Sequence, residues 1–440
     1  MSLLFFLRDA LFIFAVVFIW LMLLYQFLLT MGGLLFWRKE RVHRKKNIFW
    51  EEANLPLVSI LIPARNEALV IEGLLERLAE QDYPQEKMEI IVINDGSTDA
   101  TGDIVTKWKH KNKVNLRLVN IPLEESGRGK GAALNRGLKF SQGEVVAVYD
   151  ADNLPEKDSL RQLVLELISQ PSLAAVTGLF RAYNRHRNLL TRLINLESIA
   201  FQWIIQAGRN FFLHIAFLAG TNYVIRRKVL EALQGWDEKA LTEDTELTLR
   251  IYERGWRVKF LPSAVTWEQE PEKLTTWIRQ RTRWARGNNE LILRQMKNIF
   301  RRRISSTTLE LANLFYLYYF FVLAIIISDV FFILSVPGLV NLRLPGPYFE
   351  LWILAFSLFV LEILVALAME KEDSWLNFFL ALLAYFTYTK LWALVVLRSF
   401  FEDFIRRKEK IWIKTDRFPE SAYQQRLSSS GRQNERSHQD

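Results

Sequence analysis

Residues 10–37 carry no charged side chain and are largely apolar, and the basic run RKERVHRKK (38–46) follows at once. Such a stretch exceeds the roughly 20 residues that a helix needs to cross hydrocarbon, so it constrains the chain more than any other feature. A cleavable leader would have a shorter apolar core, a basic front and a small-residue cleavage site, so this segment is taken as a retained anchor. The positive-inside bias then places residue 38 onward in the cytoplasm and the N-terminus outside.

Three more candidate spans come late, at about 309–336, 349–369 and 375–398. Three crossings would leave the basic tail FIRRKEKIWIKTDRF outside, against the charge rule, so one of them is expected to be split, re-entrant or interfacial. They carry Asp329, Glu362 and Lys390. A charge at that depth faces a wet or protein-lined interior and marks a pathway, or else it snorkels or pairs between helices. About 270 residues of mixed, soluble character separate the two apolar blocks. The expected organisation is an anchor with its basic flank over 1–46, a cytoplasmic domain with interfacial helices over 47–304, a transmembrane block over 305–400, and a basic, then disordered tail over 401–440.

Composition removes several function classes. The chain has no cysteine, which excludes disulfides, thiolate metal sites and Cys nucleophiles. Its five His form no pair at ligand spacing, leaving carboxylates as the metal ligands. The net charge of +9 could suggest nucleic acid, but the basic residues cluster beside apolar segments, as in RRR (301–303) and RRKEK (406–410). Anionic lipid headgroups of a bilayer are the expected partner, and nucleic acid is not.

Between 57 and 150, short β-branched runs alternate with helical patterns. LVSILIP (57–63), MEIIVIND (88–95), VNLRLVN (114–120) and EVVAVYD (144–150) are expected strands, with helices starting near 67, 99 and 130. Alternation of this kind predicts an α/β fold with a parallel sheet covered on both faces, binding its ligand beyond the carboxyl ends of the strands. The polar residues fall there. Strand ends carry PARNEA, NDGSTD and DADN. NDGSTD has a plain explanation, a helix cap made by Ser97 or Thr98, which leaves Asp95 unused. Asp95 could accept the N–H of a uracil ring or hydrogen bonds from ribose hydroxyls. SGRGKGAALN (126–135) could bring backbone amides and a cation to a diphosphate, though a flexible basic turn is as common.

In DAD, Asp150 and Asp152 converge if the chain is extended, because residues i and i+2 project to one side. Two unit charges about 4 Å apart repel by roughly 4 kcal/mol at an effective dielectric near 20. A hard divalent cation, Mg²⁺ or Mn²⁺, held by these carboxylates and by substrate phosphates relieves that repulsion; a solvated loop with two Asp is the plainer alternative. TEDTELTLRIYERGW (242–256) opens a helix with Glu243 and Asp244. They either stabilise the helix dipole or supply a general base. In LTTWIRQRTRWARGNNELILRQM (274–296) an apolar stripe suits a helix on the membrane surface with its arginines facing headgroups. Alternatively Trp284 stacks on a sugar and Arg283 grips phosphate. LLTRLINLESIAFQWIIQAGRNFF (189–212) also has an interfacial pattern.

Asp95 in NDGSTD, DAD at 150–152, TED at 242–244 and QRTRW at 280–284, in this order and spacing, resemble the motif series of the processive family 2 glycosyltransferases. That membrane group includes cellulose, hyaluronan and poly-N-acetylglucosamine synthases. The resemblance covers residues 57 to about 300 and is strongest to the bacterial poly-β-1,6-N-acetylglucosamine synthases. It implies a GT-A (nucleotide-diphospho-sugar transferase) domain inserted between transmembrane helices. By the same resemblance Asp95 contacts uridine, Lys130 reaches the diphosphate, and Asp150 and Asp152 hold nucleotide and metal. Asp244, beside Glu243, activates the acceptor hydroxyl. Gln280, Arg283 and Trp284 hold the acceptor end and the diphosphate. FLAGTN (217–222), with Gly220 and Thr221, matches a loop beside the acceptor sugar.

The implied reaction inverts an α-linked UDP-sugar, UDP-N-acetylglucosamine by the resemblance, to a β-glycoside on a growing polysaccharide. A small membrane partner subunit is compatible with it. The chain lacks a Phe-x-Val-Thr gating loop, and WIKTDRF (412–418) is the one basic and aromatic stretch suited to fold back over the nucleotide. The alternatives are transfer of one sugar to a lipid carrier and, from another class, an inactive membrane scaffold.

Overall fold

The computed structural model describes residues 2–44, 54–112, 114–299, 306–335, 337–338, 346–407 and 414–418. The chain divides into two units. A sheet unit comprises Asn47–Ser198, Ala216–Gln280 and Lys410–Asp440, and a helical unit comprises Met1–Lys46, Ile199–Ile215 and Arg281–Glu409.

The sheet unit holds eight strands: β1 (Val58–Ala64), β2 (Met88–Asp95), β3 (Leu116–Ile121), β4 (Val145–Val148), β5 (Leu154–Pro155), β6 (Leu173–Ala182), β7 (Tyr223–Arg226) and β8 (Arg257–Glu268). Their order is β3-β2-β1-β4-β7-β6-β8-β5. The expected four strands form one parallel half, with β1 between β2 and β4 and β3 beyond β2. Helices Ile71–Ala79, Thr101–Lys111 and Lys130–Leu138 connect them. Because β1 is buried on both faces, its sequence is a near-continuous apolar run, broken only by Ser59, instead of an alternating one. Val58, Ile60 and Ile62 join a core with Leu74, Leu75 and Leu78. On the other face, Leu61 and Ile93 approach Gly137 of the helix Lys130–Leu138.

The second half of the sheet was not legible from periodicity. β7 is antiparallel to both β4 and β6, and β8 runs parallel to β6 with a register shift at Gly178/Leu179. β7 is only four residues long, and Pro262 interrupts the pattern of β8. Reversal at β7 makes the sheet mixed and brings the segment before it, FLAGTN, beside the end of β4.

In the helical unit the helix Ser2–Arg44 is packed by helix Ala207–Leu213 and the turn before it. Gly33 permits the approach: a Cβ there would lie 2.0 Å from the Trp203 carbonyl oxygen. This is the small-residue contact by which apolar helices come close. Among the described residues three helical segments are long and apolar enough to cross a membrane, Phe5–Arg41, Leu311–Ser335 and Tyr348–Glu370. The fourth expected span is broken. Helix Trp375–Phe386, capped by the Ser374 side chain accepting from Asn377 N–H, ends at Thr387, and the chain resumes at Tyr388 with a bend of 40°. Lys390 Nζ pairs with Asp329 Oδ1 at 2.7 Å, the helix-to-helix pair anticipated for these charges, and Glu362 is buried.

Candidate active site

Loops at the carboxyl ends of β1 and β2 are laced together. Asn66 N–H donates to Ser97 Oγ, Thr98 N–H to Asn66 Oδ1, and Ala68 N–H to Asp99 Oδ2. Ser97 and Thr98 therefore do not cap the following helix. The N-cap is Ala100, and the Asp99 side chain just outside it accepts the Thr101 N–H at 3.0 Å. Asp95 is buried, and its Oδ1 accepts the Gly127 N–H at 3.0 Å, with Arg65 Nη1 at 3.9 Å from Oδ2. Thus the carboxylate that the turn left over anchors the glycine-rich loop leading to Lys130.

β4 stops at Val148, two residues short of the expected end. Asp150 N–H donates to Thr221 Oγ1 at 3.0 Å and to Asn153 Oδ1 at 3.3 Å, and Asn153 N–H closes a turn on the Asp150 carbonyl. The extended-chain argument for DAD does not hold on a turn, yet the two carboxylates remain electrostatic neighbours. Burial pushes the Asp152 carboxyl up to about 6; Arg417 opposes that rise and Asp150 adds to it. Each aspartate faces a protein cation: Lys130 Nζ is 2.5 Å from Asp150 Oδ1, and Arg417 Nη1 is 2.6 Å from Asp152 Oδ2.

The acidic pair opens the helix Glu243–Glu253. Asp244 Oδ1 accepts its neighbour Thr245 N–H at 2.7 Å, serving the helix start as the plain reading requires. Its other oxygen is turned to the FLAGTN loop. Gly220 has φ +80°, and a Cβ there would lie 3.1 Å from Asp244 Oδ2 and 3.5 Å from Lys130 Nζ. Lys130 also donates to the Gly220 carbonyl at 2.8 Å and lies 3.8 Å from Glu243 Oε1. Burial alone would lower the Lys130 pKa, but Asp150, Glu243 and Asp244 more than offset it and hold the ammonium charged. DAD, TED and the loop between them, far apart in sequence, converge on one ammonium.

The helix Leu274–Ile299 carries QRTRW. Gln280 closes the sheet unit and is part-buried; Arg283 and Trp284 belong to the helical unit and are part-buried. The Arg281 guanidinium lies 4.0 Å over the Trp284 ring, so one face of that ring is already covered. Arg281 is 2% exposed, and Arg286 Nε donates to Asp403 Oδ1 at 2.6 Å. These two arginines do not face solvent or headgroups as a surface-helix pattern predicts, because each has a partner inside the unit.

Residues 56–287 match the family described as "Glycosyltransferase like family 2". A probable glycosyltransferase of Bacillus subtilis, YdaM, is 42% identical over 416 residues, covering 93% of this chain and 98% of that protein. The chain belongs to glycosyltransferase family 2. A poly-β-1,6-N-acetyl-D-glucosamine synthase of Staphylococcus aureus is 31% identical over 237 residues, covering 54% of this family 2 chain and 56% of that enzyme. A solved mannosyltransferase of Pyrobaculum calidifontis, in complex with GDP-Man and Mn²⁺, shares the fold with a TM-score of 0.55 at 21% identity, covering 84% of this chain and 99% of that one. The sheet unit of the family 2 chain accordingly has a GT-A-like fold.

Sequence reasoning quoted PARNEA and WIKTDRF without assigning Glu67 or Arg417. In the family 2 chain Arg417 Nε donates to Glu67 Oε2 at 3.0 Å while its Nη1 holds Asp152. Lys414 pairs with Glu67 at 3.3 Å. Gln269 grips the Phe418 backbone from both sides, and Asp416 takes hydrogen bonds from Thr276 and Arg279. Segment 414–418 is thus seated on the sheet unit; the basic and aromatic makeup of WIKTDRF was the available signal. Among the described residues no group of three or more His, Cys, Asp or Glu forms a metal cage. Asp150 and Asp152 fit a Mg²⁺ or Mn²⁺ that takes its other ligands from substrate phosphates and water, which is how such ions are commonly held.

Proposed function

We propose that this glycosyltransferase is an inverting, metal-dependent membrane synthase that moves a sugar, N-acetylglucosamine in the first instance, from a UDP-sugar to the end of a growing β-linked polysaccharide. One observation carries the reading: Lys130 contacts both Asp150 and Glu243, and Asp244 faces the same Gly220 loop. A donor-side carboxylate and an acceptor-side carboxylate thereby lie on either side of one small space. Asp95 takes the uridine. Asp244 accepts the acceptor hydroxyl proton as that oxygen bonds to the anomeric carbon; the bond to UDP breaks, and UDP leaves with the electron pair. A divalent cation on Asp150 and Asp152 would supply neutralisation of the diphosphate. In the sheet unit, Gln280, Gly220 and Thr221 hold the acceptor sugar, and the family resemblance assigns Arg283 to the leaving group and Trp284 to the acceptor. The likeness to the S. aureus synthase over the motif-bearing region supports the choice of sugar, and the Mn²⁺ of the mannosyltransferase supports the cation.

The seat of segment 414–418 on the sheet unit supports a topology as well. A chain that leaves the sheet unit at residue 281 and returns by 414 crosses a bilayer an even number of times between them. Leu311–Ser335 and Tyr348–Glu370 supply two crossings, and the broken pair 375–405 is then re-entrant or interfacial. The tail and the sheet unit are both cytoplasmic. Protection of the tail from protease in right-side-out vesicles supports this; cleavage there ends it.

The function is tested by incubating membranes with a panel of UDP-sugars, with and without Mn²⁺. Metal-dependent release of UDP with UDP-N-acetylglucosamine and long radiolabelled product is expected. A single glycolipid product would contradict processive synthesis, and turnover unaffected by exhaustive chelation would contradict the metal.

A further inference from the structure

Lys130 is the first residue of the helix Lys130–Leu138, and its side chain is 11% exposed. An ammonium offers three donors. Here it meets three acceptors on three separate elements: Asp150 Oδ1 at 2.5 Å in the turn after β4, the Gly220 carbonyl at 2.8 Å in the loop before β7, and Glu243 Oε1 at 3.8 Å at the start of the helix Glu243–Glu253. The next residue of that loop, Thr221, accepts the Asp150 N–H through its hydroxyl, and the same hydroxyl donates to Asn153. The loop is therefore pinned at 220 by the ammonium and at 221 by the DAD turn. Gly220 has φ +80°, which favours glycine, and a Cβ there would come within 3.1 Å of Asp244 Oδ2.

We propose that Lys130 is a positioning residue that fixes the separation between the donor-side carboxylate Asp150 and the acceptor-side pair Glu243 and Asp244, beyond any contact it makes with a diphosphate. The inference rests on the assignment of those carboxylates made above. Without the ammonium, Asp150 and the pair Glu243 and Asp244 lose the cation they share, and the Gly220 carbonyl loses its donor. The loop then relaxes and the base end drifts from the donor end. A misplacement of about 1 Å costs on the order of 10²-fold in rate. An arginine restores the charge but not the compact three-way contact, since its donors lie in a planar fork.

The test compares Lys130→Met and Lys130→Arg with the wild-type protein in three measurements. UDP release with acceptor should fall about 10²-fold in kcat for Lys130→Met, with Lys130→Arg recovering part of the loss. Calorimetric Kd for UDP in the presence of Mn²⁺ should weaken by much less than kcat falls in both variants, and measurable binding also reports that they fold. Amide exchange across residues 217–222 should speed up in Lys130→Met. A UDP Kd weakened as much as kcat would make Lys130 a diphosphate ligand instead, and an unchanged kcat or unchanged exchange would overturn the positioning role. A wild-type protein that turns over no UDP-sugar sinks the proposed reaction; the exchange comparison then still decides whether Lys130 holds the loop.

Discussion

In the helical unit, several cations each meet a carboxylate of another turn or helix, while Glu362 is buried without a cation among the described residues. Arg286 meets Asp403 at 2.6 Å and Glu402 at 3.6 Å, Arg398 meets the same Glu402 at 3.1 Å, and Lys390 meets Asp329 at 2.7 Å. In the sheet unit, the cations at the site are each shared between acids, and Glu67 also meets Lys414. Lys130 serves Asp150 and Glu243, and Arg417 serves Glu67 and Asp152. The pairs of the helical unit tie turns and helices together and need nothing further. Buried carboxylate is costly unless something positive lies beside it, and Asp150, Glu243 and Asp244 gather around Lys130 where β4, the FLAGTN loop and the acidic helix start meet. The raised carboxyl of Asp152 is the local expression of that cost.

The largest effect is expected at the carboxylates that share a cation. Asp152→Asn should reduce UDP-sugar turnover by a factor on the order of 10³, because the charge that faces the diphosphate is no longer neutralised in place. It should also abolish any rise in Tm on adding Mn²⁺, read by thermal unfolding. The pH dependence of that rise sharpens the point. A carboxyl whose folded pKa is lifted to about 6 stabilises the fold fully below its unfolded value near 3.9, and that contribution disappears as pH climbs through 6. Mn²⁺ should therefore raise Tm more at pH 7.5 than at pH 5. Equal gains at both would mean that Asp152 is not where the cation acts.

A cut into the pairs of the helical unit should do the reverse. Asp403→Asn leaves the buried Arg286 short of its nearest partner, and losing one member of a buried pair typically costs about 3–5 kcal/mol. Chemical or thermal unfolding in detergent should show that loss, with UDP affinity of the folded fraction unchanged. Ser374→Ala removes the side-chain cap of Trp375–Phe386. It should cost about 1 kcal/mol and leave turnover within experimental error.

Much of the sheet unit was legible because its parallel half is written as apolar runs ending in turn chemistry. The four expected strands, and the start of the helix at Lys130, appear within a few residues of their predicted places. The other half was not legible for physical reasons. β5 is two residues long, β7 four, and Pro262 lies inside β8, so none shows a sustained period-2 pattern. In the site, Asp95, Asp150, Asp152, Glu243 and Asp244 stood out because strand ends and helix starts are where acids must be explained. Glu67 and Arg417 did not, since their meaning depends on a contact spanning most of the chain. Likewise the arginines at 281 and 286 follow a surface-helix pattern in sequence, and only their partners Trp284 and Asp403 show that they are inside.

The central claim is that Asp244 takes the acceptor proton while the aspartates of DAD hold the donor. Release of UDP by Asp244→Asn in the presence of acceptor, measured beside UDP binding by the same protein, tests it most directly. A fall of about 10² to 10⁴-fold in release with UDP binding retained is the predicted result. Release at the wild-type rate would remove Asp244 from the chemistry.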